Sequence, residues 1–121
     1  MLPGSLELAY LGDTLYDLSV RSALVRRGGR VNMMHRQAVK QVCAHAQSEA
    51  LSRVEPMLTE EEQTVVRRAR NARQTPPHNA DRAEYHRATA LEALIGYLYI
   101  MGREDRMGEI LRAALGDLND G

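Results

Sequence analysis

Neither phenylalanine nor tryptophan occurs in this sequence, and tyrosine appears only five times. Large rings therefore cannot carry the core, and Leu, Val, Ile, Met and Ala must fill it, a supply suited to helices packed on helices. Cysteine is down to one residue, Cys43. That excludes an internal disulfide and a cysteine-based zinc site, and leaves a buried structural thiol in a reducing compartment as the expectation. No basic segment followed by an apolar run opens the chain, so no secretory signal is expected. The apolar stretch Ala90–Met101 carries Glu92 and is too short to span a bilayer. These absences predict a soluble cytoplasmic protein with no membrane partner.

Lysine is nearly missing too: of the 16 basic residues, only Lys40 is not arginine. Arginine favours planar, bidentate contacts over mobile point charges. Net charge is zero, yet its distribution is uneven. Leu18 to Val54 holds seven basic residues against one acid, Glu49, and Gln63 to Ala80 holds four arginines and no acid. The acids collect at Glu55–Glu62 and after Arg103. Such basic segments can follow a phosphate backbone. With 121 residues, 44% of them apolar, the chain is sized for one folded domain.

Helical periodicity dominates, and nothing alternates with period two. A first helix is expected from about Ser5 to Arg27, with Leu8, Leu11, Leu15 and Leu18 on one face and Gly28–Gly29 past its end. Asn32 reads as the N-cap of a second helix reaching about Arg53, with Met34, Ala38, Val42 and Ala46 inward. Thr59 with Glu62 forms a capping-box pattern for a third helix to about Ala72. Arg73–Asn79, with Pro76 and Pro77, is a loop. Asn79 can cap a fourth helix, from about Asp81 to Met101, and a fifth runs from about Glu104 to Leu115. The expected fold is all-α, a bundle of about five main helices.

Two carboxylates stand on small-residue stripes. Steps of four residues give Ala9, Asp13, Asp17 in the first helix and Ala88, Glu92, Gly96 in the fourth. Gly12 and Gly96 each cost roughly 1 kcal/mol inside a helix. One reason covers both: small residues let two helices approach closely, so Asp13 and Glu92 can converge. Converging anions call for a cation between them, and oxygen-only ligands favour Mg2+, with Mn2+ as a substitute. On spacing alone, an exposed or salt-bridged pair of acids is the competing reading.

Leu8-Ala9-Tyr10-Leu11-Gly12-Asp13 resembles the signature helix of the ribonuclease III catalytic domain. Thr89-Ala90-Leu91-Glu92-Ala93-Leu94-Ile95-Gly96-Tyr97-Leu98-Tyr99 is similar to that domain's second metal-binding helix. Arg68-Ala69-Arg70-Asn71-Ala72-Arg73 is similar to a segment of the Mini-ribonuclease III branch, as are Asn32 through His35 and the order Asn79, Asp81, Tyr85. The match covers nearly the whole chain in order. It implies a single catalytic domain over residues 1–121, with no separate double-stranded-RNA-binding domain. It also implies a metal-dependent homodimeric endonuclease of double-stranded RNA that leaves 5′-phosphate and 3′-hydroxyl ends, with maturation of large-subunit (23S) ribosomal RNA precursor as its task. Asp13 and Glu92 match the metal-binding catalytic acids. Ala9 and Thr89 stand where larger relatives carry a glutamate and an aspartate, so fewer protein ligands are implied, and one or two ions per site stay open, as does any help from Asp17 or Thr89.

The arginines Arg67, Arg68, Arg70 and Arg73 can bridge phosphates, and Asn71 or His78 in the loop can reach a shallow RNA minor groove. His35 is a further candidate for RNA contact. The bland alternative is a solvated face, or pairing with Glu60–Glu62. The stripe Leu91, Leu94, Ile95, Leu98 and Met101 reads as core that could include the dimer seam. Two other functions remain open: a non-catalytic RNA-binding dimer of the same fold, and a helical nucleotide pyrophosphohydrolase whose acids would be the Glu60–Glu62 cluster.

Overall fold

A computed structural model describes residues 2–116 and Leu118. Among these, six α-helices follow one another: α1 Ser5–Arg27, α2 Val31–Val42, α3 Ala44–Val54, α4 Glu60–Arg70, α5 Arg82–Ile100 and α6 Glu104–Leu115, with a short 3-10 turn at Glu55–Met57. No strand occurs among the described residues. The all-α expectation is met, with one helix more than expected.

α5 is the axis of the molecule. Ten of its residues, from Ala88 to Leu98, are buried, and it packs against α1, α3, α4 and α6. A helix that is apolar nearly all round must be enclosed, which is why the other elements are arranged about it. Leu91, Leu94, Ile95 and Leu98 are fully buried within the chain's own core. They cannot form a dimer seam, which corrects that expectation; only Met101 of the stripe is exposed.

α1 begins after Gly4 and ends at Gly28, whose φ of 84° suits the left-handed region, with its N–H bonded to Leu24 O and Val25 O. Its buried face is Leu8, Ala9, Gly12, Tyr16, Val20, Ala23 and Leu24. The expected leucine face is therefore rotated: Leu11 and Leu15 are half-buried and Leu18 is exposed. At the crossing with α5 stands Gly12, while Leu8, Tyr16, Val20 and Leu24 fill the rest of the buried face.

The single second helix is broken at Cys43, which is extended (φ −70°, ψ 159°) and accepts the Gln47 N–H at its carbonyl. No glycine or proline marks the break. Tertiary packing overrides local propensity: the turn swings α3 so that Gln47, Ser48, Ala50, Leu51 and Val54 lie inward, against α5. Cys43 itself is exposed at this corner, not buried as expected. Asn32 is not the cap of α2. Arg30 holds that position, and the Asn32 Oδ1 accepts from the next residue's N–H, Met33.

The Thr59/Glu62 capping box forms as expected, but α4 stops at Arg70, short of Ala72. Asp81, and not Asn79, caps α5, its Oδ1 accepting the Glu84 N–H at 2.9 Å. Asn79 lies in a turn closed by Ala80 N–H to Pro77 O, which leaves it no helix to cap.

α1 and α5 run antiparallel and touch backbone to backbone. A Cβ built on Gly12 would lie 1.7 Å from the Glu92 carbonyl oxygen, and one on Gly96 would lie 2.0 Å from the Leu8 carbonyl oxygen. Propensity alone would make glycine to alanine favourable by roughly 1 kcal/mol here. The clash is with main chain, so geometry must win. We expect Gly96→Ala and Gly12→Ala each to destabilise the protein by at least about 3 kcal/mol, read as a lowered urea midpoint. An unchanged midpoint in either variant would show that the two helices do not cross in contact at that point.

Candidate active site

The contact between Gly12 and the Glu92 backbone fixes where the neighbouring side chains go. Asp13 follows Gly12 on α1 and is exposed, while Glu92 on α5 is partly buried. Their carboxyls meet at hydrogen-bonding range. The structure thus brings together two acids that lie far apart in sequence. Burial, then the hydrogen bond and the charge of Asp13, push the Glu92 carboxyl up to about 8, while a bond from Gln47 works the other way. The Gln47 Nε2 donates to Glu92 Oε2 at 3.3 Å. Gln47 is 2% exposed on α3, so three helices converge here.

Tyr16 lies one turn beyond Asp13 on the buried face of α1. Burial raises its phenol to about 12, with Arg53 lowering it and Glu92 raising it. It therefore stays protonated at neutral pH and forms a fixed floor, not a base. Ala9 and Thr89 are both buried and bring no acid to the site. Thr89 donates to the Tyr85 carbonyl at 3.0 Å and meets Gln74 Oε1 at 3.3 Å, so it anchors the loop after α4 to α5. Asp17 does not join the site. It accepts from the Arg21 Nε on the surface of α1 at 3.0 Å.

No group of three or more His, Cys, Asp or Glu side chains is placed to hold a metal among the described residues. The donor set is two carboxylates, both oxygen ligands, since Gln47 turns its Nε2 toward Glu92. That chemistry fits Mg2+ or Mn2+, which keep several waters and take few carboxylates, and does not fit Zn2+.

Arg67, Arg68 and Arg70 are exposed on the last turns of α4, and Asn71, Arg73 and His78 are exposed on the loop that follows. None of the four arginines forms an ion pair among the described residues. Two acids of the Glu60–Glu62 group are otherwise engaged. Glu62 is held by Arg106 at 2.8 Å, which keeps its carboxyl low, and Glu61 meets Arg103 at 3.3 Å and the Tyr97 hydroxyl. Glu61 and Glu62 are structural, which takes two of the cluster's three acids from the ligands a pyrophosphohydrolase would need. Asn71, Arg73, Gln74, Arg82 and His86 share a cleft of about 450 Å3. His35 is exposed on α2, beside a different groove that includes Arg21, Leu24 and Met34. Gln47, Arg82 and His86 were not singled out in the sequence. Periodicity alone could have flagged only Gln47, as a polar residue at an inward position of a helix.

The chain is similar to known proteins over most of its length. The ribonuclease III domain profile matches residues 6–103. The chain is 52% identical to the Mini-ribonuclease 3 of Symbiobacterium thermophilum, over 90% of this chain and 85% of that protein. It is 45% identical to the Mini-ribonuclease 3 of Brevibacillus brevis, over 93% and 86%. A crystal structure of a Fusobacterium nucleatum protein superposes with a TM-score of 0.84 at 31% identity, covering 93% of this chain and 91% of that one. The chain belongs to the ribonuclease III domain family, and its class is that of an endoribonuclease. Among the described residues, no helix is long and apolar enough to cross a membrane.

The Glu92 shift sets a sign for stability. With its folded value raised to about 8 from 4.5, the folded chain holds a proton that the unfolded chain releases. The stability this contributes is complete below about pH 4.5 and is lost as pH rises through 8. We expect metal-free wild type to lose melting temperature over that window relative to Glu92→Gln. At pH 8.5 the variant should melt at least about 4 °C higher, the change about 1 kcal/mol makes in a domain of this size. Parallel melting curves for the two proteins across the window would show that Glu92 ionises freely, contrary to this site.

Proposed function

We propose that this chain is a divalent-metal-dependent endonuclease of double-stranded RNA, acting as a homodimer in the maturation of large-subunit ribosomal RNA precursor. The observation that carries this reading is the meeting of Asp13 and Glu92 over the Gly12 contact. On it, Asp13 and Glu92 are the residues that would hold Mg2+, with Mn2+ able to replace it. When bound, the cation supplies Lewis acidity at the scissile phosphate and lowers the pKa of water. The protein's own part is placement. Asp13 and Glu92 are held on rigid helices, Tyr16 closes the floor beneath them, and the buried α1–α5 contact keeps them from separating. Hydrolysis on this reading leaves 5′-phosphate and 3′-hydroxyl ends.

Arg67, Arg68, Arg70 and Arg73 would bind phosphates of the duplex, being exposed and, among the described residues, in no ion pair. Asn71 and His78 project from the same loop toward the minor groove, and His35 offers a contact from α2. Gln74 ties this loop to Thr89, one turn before Glu92, so duplex position and acid position are coupled through α5. On this reading the six helices make up one catalytic domain over residues 1–121, in a protein of the cytoplasm.

The dimer face on this reading is not the α5 stripe. Leu2, Leu6 and Tyr10, the last 85% exposed, line the start of α1, and Tyr99, Ile100 and Met101 are exposed at the end of α5. Antiparallel packing places both groups at one end of the molecule. Exposed apolar surface of this kind marks an interface, and a second copy presents the same patch.

Two measurements test the reading. Asp13→Asn is expected to lower magnesium-dependent scission of a perfect RNA duplex at least about a hundredfold, at the low end of what positioned catalytic groups contribute. Folding and duplex binding should persist, and chelation should abolish wild-type cutting. Wild-type-like cutting by the variant removes Asp13 from the mechanism; no scission by wild type with any divalent ion favours the non-catalytic RNA-binding dimer. Separately, Tyr10→Glu should convert a dimer to a monomer in sedimentation equilibrium, and a dimer that survives it places the seam elsewhere.

A further inference from the structure

We propose that Gln47 is a positioning residue of this site, whose buried carboxamide holds the Glu92 side chain in the orientation that faces Asp13. The inference rests on the assignment of Asp13 and Glu92 made above.

Four polar side chains are buried among the described residues: Gln47, Ser48, Glu62 and Thr89. Three have structural partners. Ser48 receives Arg87 at 3.0 Å, Glu62 closes the capping box and takes both nitrogens of Arg106, and Thr89 bonds the Tyr85 carbonyl. Gln47 differs. The one side-chain hydrogen bond it makes among the described residues goes to Glu92 Oε2. Apart from Ser48, its buried neighbours on α3, Ala50, Leu51 and Val54, are apolar, as packing on α5 requires.

A buried amide without a partner costs about 1–3 kcal/mol, so an apolar residue of equal volume would serve the α3–α5 contact at least as well. The polar group is explained by what it touches. Glu92 has a longer, freer side chain than Asp13, and Ala9 and Thr89 provide no carboxylate to constrain it. A carboxamide donates through nitrogen and adds no charge. It can therefore fix one Glu92 oxygen without adding a third anion to the pair.

The test compares wild type, Gln47→Met and Asp13→Asn. Methionine keeps the length and volume and removes the donor, so its melting temperature should match or exceed that of wild type, which separates the effect from misfolding. Mn2+ binding to the RNA-free protein, followed by electron paramagnetic resonance, should weaken about tenfold or more in Gln47→Met. Its kcat on duplex RNA should fall about 10–100-fold, the range for residues that orient a metal ligand, with KM for the duplex unchanged. If Gln47→Met keeps wild-type Mn2+ affinity and kcat while Asp13→Asn loses both, the role of Gln47 is refuted and the acid-pair reading stands. If Asp13→Asn also keeps both, the acid pair itself is wrong and the role of Gln47 falls with it.

Discussion

Two peptide backbones in contact, with no side chain between them, set the geometry of this protein. Gly12 lies on the Glu92 carbonyl and Gly96 on the Leu8 carbonyl, so the contact is reciprocal and four residues long on each helix. Ordinary helix pairs sit 8–10 Å apart because side chains separate them. Removing both Cβ atoms brings short acidic side chains within reach of each other and fixes their relative position to main-chain precision. The two glycines cost helix propensity. What they secure is a meeting point that neither Asp13 nor Glu92 could reach across a layer of leucines.

The remaining elements hold α5 in place so that this contact persists. Arg87 on α5 bonds the Ser48 carbonyl and hydroxyl, the Ser52 hydroxyl and Glu55, which fastens α3 alongside. Arg106 on α6 reaches back to Glu62 and to the Met57 carbonyl, fastening the start of α4. A buried ion pair is weak support for net stability, since desolvation offsets its attraction. Here each arginine also satisfies backbone or hydroxyl groups, so its contribution is to orientation more than to stability.

How much of this was legible in the sequence depends on what kind of signal each feature leaves. The capping box at Thr59, the glycine stop after Arg27 and the long apolar run of α5 are local or periodic, and they were readable. The approach of α1 to α5 was readable for a different reason: glycine inside a helix is costly, and two such glycines beside acids ask for an explanation. The break at Cys43 carries no local mark, because it is dictated by how α3 must pack on α5. That one missed corner hid the exposure of Cys43 and the inward turn of Gln47. The rotated face of α1 has the same origin. Counting leucines assumes that the bulkiest side chains point inward, and at this helix the requirement for close approach reverses it, leaving Leu18 outside and Gly12 within.

A net charge of zero says nothing about partners until the acids are assigned. Glu55, Glu61, Glu62 and Glu109 each pair with an arginine of α5, α6 or the turn between them, and Glu49 and Glu84 share His45. Glu55, Glu61, Glu62 and Glu84 join different elements in these pairs, while Glu49 and Glu109 pair within their own helices. The arginines from Arg67 to Arg73 form no ion pair among the described residues, on the side where Gln74 and Thr89 connect the loop to α5. A polyanion approaching the molecule would meet that cationic edge first and the acid pair second. Two like-charged acids repel a phosphate unless cations flank them, so on the function proposed above the arginines and the carboxylates would work as one site. The positive edge would let a phosphate come near enough for the acids, were a cation held between them, to act on it.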